Sequence, residues 1–215
     1  MASNDETVHV YQDHRERQID NILKCAQNLF NKIGIEAVTM SSIAKAAGIS
    51  RNTLYNYFPN KQEVAYGIFQ RIIDDLPHQF KPVGESTESG YERLKAFMLG
   101  MVDRIEAHPD DSQFIAEFNI LYAREGDPQR MRQIYAGGDD LLLSILQQGI
   151  ADGSIRSNFS PNLLFAMIYN FFSAMNLRFS LTGSLIGEEY GQPVEALFRG
   201  IFRIFLQGLQ PPNEG

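Results

Sequence analysis

The chain has 215 residues, of which 44% are hydrophobic and 21% charged, and this composition excludes a disordered or fibrous protein. Its single cysteine, Cys25, excludes an intramolecular disulfide and a cysteine-cluster zinc site, so the reducing cytoplasm is the expected compartment. The N-terminus has no apolar signal segment, and the most apolar stretch, residues 163–177, is too short to span a bilayer. We therefore expect a globular cytoplasmic protein with no membrane partner.

The net charge of −7 is unevenly distributed along the chain. Residues 14–61 contain seven basic and three acidic side chains, a local charge of +4, which leaves −11 for the remainder. Binding to nucleic acid requires local positive charge, which a negative total does not exclude. The asymmetry therefore predicts a basic N-terminal module attached to an acidic body.

Apolar periodicity predicts helices throughout the chain. Residues 1–13 show no periodicity and are predicted to form a flexible tail, whereas apolar residues from Ile19 to Ile33 follow one helix face that Gly34 ends. Proline marks the first position of several later helices. No segment alternates with period two, so an all-α fold is predicted. The helices predicted for the body are residues 61–80, 91–107, 109–123, 128–152, 161–181 and 193–207.

The stretch from Thr39 to Lys61 has the pattern of two short helices joined by a glycine turn. Thr39 can cap the first helix, Gly48 can supply the turn, and Ser50 can cap the second helix. This pattern predicts a helix-turn-helix motif.

The second helix of this motif has two different faces. Leu54 and Phe58, four residues apart, share the inner face, and the opposite face centres on Asn52 and Asn56. Outward asparagines gain little from packing, whereas an asparagine amide can both donate to and accept from adenine in the major groove. The pattern therefore favours a DNA-reading helix.

A cation stands at the start of the next predicted helix. Asn60 and Glu63 have the spacing of a capping box, which puts Lys61 at the positive end of that helix. A DNA phosphate would compensate a lysine there and could also accept from the helix N–H groups. Helix-turn-helix spacing also occurs by chance in helical bundles, but the local charge of +4, the outward asparagines and Lys61 together favour DNA binding.

The motif resembles the DNA-binding signature of the TetR family of bacterial transcriptional regulators. The resemblance implies a three-helix DNA-binding domain over residues 14–60 and a helical ligand-binding and dimerisation domain over residues 61–215. The residues that carry it are Thr39-x-x-x-Ile43-Ala44-x-x-Ala47-Gly48-Ile49-Ser50-x-x-Thr53-Leu54-Tyr55-x-Tyr57-Phe58-x-x-Lys61.

The resemblance also implies roles for individual residues. Thr53, Tyr57 and Lys61 occupy phosphate-contacting positions in this family. Asn52 stands where the family often has glycine or alanine, so base readout by Asn52 is inferred from the residue alone. With the groove-facing residues and the two caps, the predicted DNA-binding set is Thr39, Ser50, Arg51, Asn52, Thr53, Tyr55, Asn56, Tyr57 and Lys61.

The body is rich in side chains that suit an adaptable apolar pocket. The chain contains 15 Phe and 7 Met, and the family resemblance implies a pocket among the helices after Lys61 for a small, largely apolar effector. Most of these side chains also have an interpretation as core, and the polar candidates have one as satisfied core or surface residues. The candidate ligand-binding residues are Phe69, Phe97, Met101, Arg104, Phe114, Phe118, Asn119, Tyr122 and Asn170.

The C-terminal helices carry more apolar surface than a monomer of this size buries easily. Residues 163–179 are apolar nearly all round, and the last predicted helix adds a second apolar face. The family resemblance implies a homodimer in which these two helices and their symmetry mates form a four-helix bundle. The predicted interface residues are Phe165, Phe172, Phe198, Phe202 and Phe205.

The four histidines lack metal-ligand spacing, and the catalytic and nucleotide-binding motifs with a glycine or serine signature do not occur. We therefore expect no enzyme, no cofactor and no metal. The predicted function is a repressor that a small effector releases from a palindromic operator in double-stranded DNA. The open alternative is a helical protein–protein adaptor without DNA specificity, which has no reason to show strongly salt-dependent, sequence-specific DNA binding.

Overall fold

A computed structural model describes residues 3–138 and 140–210, and within these ranges the chain forms eleven α-helices and no strand. The predicted all-α fold is confirmed. The described residues belong to two compact units. The helices are α1 Ser3–Ile33, α2 Met40–Ala46, α3 Arg51–Tyr57, α4 Lys61–Gln79, α5 Lys81–Gly84, α6 Gly90–Ala107, α7 Pro109–Glu125, α8 Pro128–Gly138, α9 Asp140–Ala151, α10 Pro161–Tyr190 and α11 Val194–Leu209.

Helix α1 begins at Ser3, inside the segment for which the sequence predicts a flexible tail. The helix ends as predicted at Gly34, whose φ of 79° lies in the left-handed region that glycine adopts without a steric penalty.

The later helices begin close to their predicted positions but end differently. Helix α10 continues from Pro161 to Tyr190, beyond the predicted end, and stops at Gly191, which has a φ of 61°. Residues 128–152, predicted as one helix, contain α8 and α9, and Asp139 lies outside the described residues. The short helix α5 lies between the predicted helices 61–80 and 91–107, where the sequence predicts no helix.

The first unit contains the described residues up to Arg71 together with Glu117–Glu125. Its boundary therefore lies inside α4, and the sequence predicts a module boundary inside or just before the helix that begins at Lys61. The physical reason is the apolar face at the start of α4, which is buried in this unit. Its buried side chains include Ile22, Ala26, Phe30, Ile43, Leu54, Val64, Ala65 and Ile68.

The second unit contains Ile72–Ala116 and the described residues from Gly126 onward. Helices α6, α9, α10 and α11 pack together around one apolar core. Helices α6 and α9 approach so closely that a Cβ atom added at Gly90 would lie 2.2 Å from the Cα of Gly149. The core includes Leu94, Met98, Val102, Ile145, Leu146, Leu164, Ile168, Phe172, Phe198 and Phe202. Among the described residues, no helix combines the length and the apolar character needed to cross a membrane.

Candidate nucleic-acid interface and ligand cavity

Helices α2 and α3 form the predicted helix-turn-helix through local hydrogen bonds. The backbone N–H of Ser42 donates to the hydroxyl of Thr39 (3.1 Å), and the N–H of Thr39 donates to the hydroxyl of Ser42 (3.0 Å). Gly48 takes a φ of 69° in the turn, and the N–H of Thr53 donates to the hydroxyl of Ser50 (3.0 Å). These caps satisfy N–H groups that have no partner inside the helix.

Helix α3 presents an exposed polar face, as the sequence predicts. Leu54 is fully buried, whereas Arg51, Asn52, Tyr55 and Asn56 are exposed. Among the described residues, the side-chain amides of Asn52 and Asn56 have no hydrogen-bond partner. A short helix with exposed amides and a guanidinium fits the donor and acceptor groups of base edges in a major groove.

Lys61 is partly engaged within the protein. Its Nζ atom donates to the backbone oxygen of Glu36 (2.8 Å), in the turn between α1 and α2. The N–H of Glu63 donates to Asn60 Oδ1 (2.8 Å), which caps the start of α4. An ammonium group has three donors, so the one bond of Lys61 leaves donors for a phosphate.

Arg15 is a residue of this surface that is missing from the predicted DNA-binding set. Its guanidinium carbon lies 5.9 Å from the ring centroid of Tyr57, within the range of a cation–π contact. Arg15 is exposed, and its charge belongs to the basic excess of residues 14–61. The charge count could have pointed to Arg15, but only the fold brings it to the end of α3.

The end of α7 packs within the same unit as the helix-turn-helix. Phe118 stacks on Phe69 with ring centroids 4.5 Å apart and meets Tyr66 edge-on at 5.3 Å. The Nη1 atom of Arg124 donates to Glu36 Oε2 (2.9 Å), and the N–H of Ile35 donates to Glu117 Oε2 (3.4 Å). The turn between α1 and α2 is therefore held by α7 as well as by Lys61.

The nine predicted ligand-binding residues do not form one cluster within either unit. Phe69, Phe118, Asn119 and Tyr122 belong to the first unit, and the other five belong to the second. The aromatic rings among them are largely core: Phe69, Phe97, Phe114 and Phe118 are all buried. Asn170 is exposed and donates to the carbonyl oxygen of Ala166 in its own helix (2.8 Å).

The second unit contains a cavity of about 630 Å³, here called the α6–α11 cavity, which is within the usual size range of small-molecule sites. None of the predicted ligand-binding residues lines it. Its walls combine apolar side chains with serine hydroxyls and carboxylates. It is lined by Ile105, Glu106, Pro109, Ser112, Gln113, Phe179, Ser180, Gly183, Val194, Glu195 and Phe198.

Ser112 and Ser180, which line this cavity, belong to a cluster of polar side chains around the start of α7. Asn176 Nδ2 and Ser180 Oγ both donate to the backbone oxygen of Ser112, at 3.1 and 3.2 Å. Arg104 Nη2 donates to Asp111 Oδ2 at 3.0 Å. Asn176 Oδ1 and Arg104 Nε are buried and have no hydrogen-bond partner. Of this cluster, the sequence pointed to Arg104 alone.

The predicted dimer residues are mainly core in the structure. Phe172, Phe198 and Phe202 are buried in the core of the second unit, and Phe165 and Phe205 are partly buried against it. Other apolar side chains of α10 and α11 are exposed, including Leu185 at 63% and Ile204 at 71%. Seven of the exposed residues of α10 follow one stripe along the helix: Leu163, Met167, Asn170, Ala174, Arg178, Leu181 and Leu185.

Residues 22–65 match the family described as bacterial regulatory proteins, tetR family. Over most of its length the chain is similar to the HTH-type transcriptional repressor KstR2 of Mycolicibacterium smegmatis, with 24% identity over 84% of this chain and 88% of the relative. FadR from Bacillus subtilis, solved in complex with stearoyl-CoA, has a TM-score of 0.69 at 19% identity over 88% and 98% of the two chains. Thermus thermophilus FadR in complex with lauroyl-CoA has a TM-score of 0.64 at 21% identity over 92% and 98%.

Proposed function

The chain belongs to the TetR family of bacterial regulatory proteins, and from this premise we propose that it represses transcription by binding a palindromic operator. The observation that carries the proposal is the exposed polar face of α3, where Arg51, Asn52, Tyr55 and Asn56 point away from the buried Leu54. Asn52 and Asn56 read base edges, while Thr53, Tyr57 and Lys61 contact phosphates. A regulator of this kind acts in the cytoplasm, where the bacterial chromosome lies.

The proposed protein is a homodimer, because a two-fold operator requires two recognition helices spaced by about 34–36 Å or a multiple of that distance. The exposed stripe of α10 and Ile204 of α11 support pairing of these helices with a second copy, which would cover exposed apolar side chains. Leu185→Glu should convert the dimer to a monomer in light scattering, and Gln147→Glu, an exposed position of α9, should not. An unchanged dimer in the Leu185→Glu variant would contradict this interface.

The proposed effector is a small, largely apolar molecule that binds the second unit and lowers operator affinity. The FadR proteins of similar fold hold acyl-CoA ligands, which supports an apolar component in the effector. The α6–α11 cavity is the supporting feature of this chain. Displacement from DNA requires a difference in effector affinity between two states, typically about 1–3 kcal/mol or 5–150-fold in DNA affinity.

Helix α7 is the proposed route from effector to DNA. Pro109 and Ser112, in its first turn, line the α6–α11 cavity, while Glu117 in its middle and Arg124 in its last turn hold the turn between α1 and α2. A shift of this continuous helix would therefore disturb the turn that also engages Lys61.

Selection from a pool of random DNA duplexes with the purified full chain tests this function directly. We expect enrichment of a palindrome, with a dissociation constant that rises steeply with salt because bound phosphates release counterions. Lys61→Ala should weaken binding to operator and random DNA about equally and should reduce the salt dependence. No enriched sequence, together with salt-independent or absent DNA binding, would contradict the proposal and favour the adaptor.

A further inference from the structure

We infer that Arg15 of α1 binds a phosphate of the operator backbone, with the ring of Tyr57 holding its guanidinium at the end of α3. The inference rests on the proposed DNA-binding function and adds a contact from outside the helix-turn-helix. Arg15 also lies outside residues 22–65, which match the family, so the match assigns it no role.

The fold brings Arg15 to the end of the recognition helix. Arg15 and Tyr57 are far apart in the sequence, yet the guanidinium carbon lies 5.9 Å from the centroid of the Tyr57 ring. This distance is within the range of a cation–π contact. Because the ring restricts the guanidinium, Arg15 loses less side-chain freedom on binding DNA than an arginine that moves freely in water.

The charge of Arg15 has no carboxylate partner among the described residues. Arg17 of the same helix differs, because its Nη2 atom lies 3.9 Å from Asp13 Oδ2. Glu16 follows Arg15 directly, but adjacent residues of a helix do not face each other. Arg15 therefore keeps an exposed, uncompensated positive charge beside the end of α3.

The chemistry of this position fits a phosphate. A guanidinium has five N–H donors and no acceptor, and the hydroxyl of Tyr57 has no hydrogen-bond partner among the described residues. A phosphate carries a negative charge and acceptor oxygens that arginine can bind through two parallel hydrogen bonds. Base edges are instead read inside the groove, by the face of α3 that carries Asn52 and Asn56.

The salt dependence of DNA binding tests the inference on two duplexes of equal length, the palindrome enriched by the selection and a random sequence. Loss of one phosphate contact lowers the slope of log affinity against log salt by about 0.9. Arg15→Gln should lower the slope by that amount and weaken binding about 3–10-fold at 0.15 M salt. The loss should be equal on both duplexes, because a phosphate contact carries no sequence information. Arg15→Lys keeps the charge and should keep the slope.

Arg17→Gln is the matched control, because it removes the same charge from the same helix. Arg17 is exposed and already pairs with Asp13, so the slope should stay at the wild-type value. Both arginines are exposed, so neither variant should impair folding. A wild-type slope in Arg15→Gln, or an equal fall in both variants, would overturn the inference. A loss of discrimination between the two duplexes in Arg15→Gln would also overturn it, because that result would assign Arg15 to a base edge.

A scan of the operator with single uncharged methylphosphonate linkages locates the phosphate. One linkage in each half-site should weaken binding of the wild type and leave binding of Arg15→Gln unchanged, because that contact is already lost in the variant. Identical profiles for the two proteins would contradict the contact.

Variants of Tyr57 test whether the ring holds Arg15 in place. Tyr57→Phe keeps the ring, and Arg15→Gln should lower affinity in that background as much as in the wild type. Tyr57→Leu removes the ring, and Arg15→Gln should then lower affinity less. An equal effect of Arg15→Gln in both backgrounds would refute the role of the ring.

The wild-type protein separates the inference from the proposed function. Specific, salt-dependent operator binding together with an unchanged slope in Arg15→Gln would refute the inference and leave the function standing. Absence of DNA binding by the wild type would refute both.

Discussion

The helix-turn-helix in the first unit and the start of α6 in the second unit differ in the sequence distance over which their N-terminal caps are made. In the first unit, the caps of α2, α3 and α4 join residues three apart, as in Ser50 with Thr53. In the second unit, the start of α6 has a local cap from Ser89 and also a distant one: the side chains of Asp152 and Ser154 accept from the N–H groups of Gly90 and Tyr91 at 3.0 Å each. Local capping can be recognised in a sequence, whereas capping from 60 residues away requires the fold.

This difference explains which predictions succeeded. The spacing of Thr39, Gly48 and Ser50 was sufficient to place α2, the turn and α3, because each residue acts on its own helix end. The outward face of α3 followed from helical periodicity around Leu54. The polar cluster of the second unit includes Asn176, which donates to a carbonyl 64 residues away, and no periodicity indicates such a contact.

Apolar residues in the sequence gave the least reliable predictions of the effector site and of the dimer interface. Phe118 and Phe202 were predicted to contact an effector and a second subunit, yet both are buried in their own chain. A phenylalanine at helical spacing satisfies the pattern of core, pocket and interface equally well. The exposed stripe of α10 and the α6–α11 cavity became visible only when the burial of each side chain was known.

The largest expected effect concerns a contact in the first unit between two residues that are far apart in sequence, Phe69 and Phe118. It tests whether the unit that contains the locally capped helices also depends on long-range packing. Phe118→Ala removes a fully buried ring that stacks on Phe69, and a buried Phe→Ala change costs about 3–5 kcal/mol. Urea unfolding should show this loss of stability, and a DNA-binding measurement should show weaker binding. Ile120→Ala, at an exposed position on the same helix, should lower the free energy of unfolding far less. Equal losses of stability in the two variants would contradict the packing of Phe118 on Phe69.

The next effect concerns the surface that α3 presents. Asn56→Ala should remove about 1–3 kcal/mol of discrimination between the operator and a site altered at the contacted base pair. Competition binding measures this difference. Asn162→Ala, an exposed asparagine in the second unit, serves as the control. A uniform loss of affinity for all DNA would instead assign Asn56 to the phosphate backbone.

Local capping predicts a smaller effect. Ser50→Ala removes the acceptor for the N–H of Thr53, and loss of such a cap costs about 0.5–2 kcal/mol. Ser41→Ala changes an exposed serine inside α2 that caps nothing among the described residues. Denaturant midpoints should therefore fall only for Ser50→Ala. Identical midpoints would mean that α3 does not depend on this cap.

The smallest effect tests the long-range cap of α6. Hydrogen bonds from Ser154 and from the N–H of Gly90 hold the pKa of the Asp152 carboxyl below its ordinary value of 3.8. The contribution of the ionised Asp152 carboxylate to the free energy of unfolding is therefore present above about pH 3.8. It is lost as the pH falls through the lowered pKa of the folded state. Asp152→Asn should reduce stability at pH 7 by about 0.3–1 kcal/mol, near the lower figure because the carboxylate is exposed.

Unfolding curves from pH 7 to pH 2.5 check this prediction. The difference in the free energy of unfolding between the wild type and Asp152→Asn should become smaller at acidic pH, where the carboxylate is protonated. A constant difference across the whole range would show that the cap does not depend on the charge of Asp152.

The DNA-binding unit is discontinuous in sequence, which limits how it can be exchanged between proteins. A fragment that ends at Arg71 would lack Phe118 and Arg124, so the aromatic ring on Phe69 and the partner of Glu36 would both be missing. A chimera that transfers only the N-terminal segment to another regulator would meet a foreign helix at that place. To keep its operator preference and its stability together, the transferred cassette would need residues 117–125 as well.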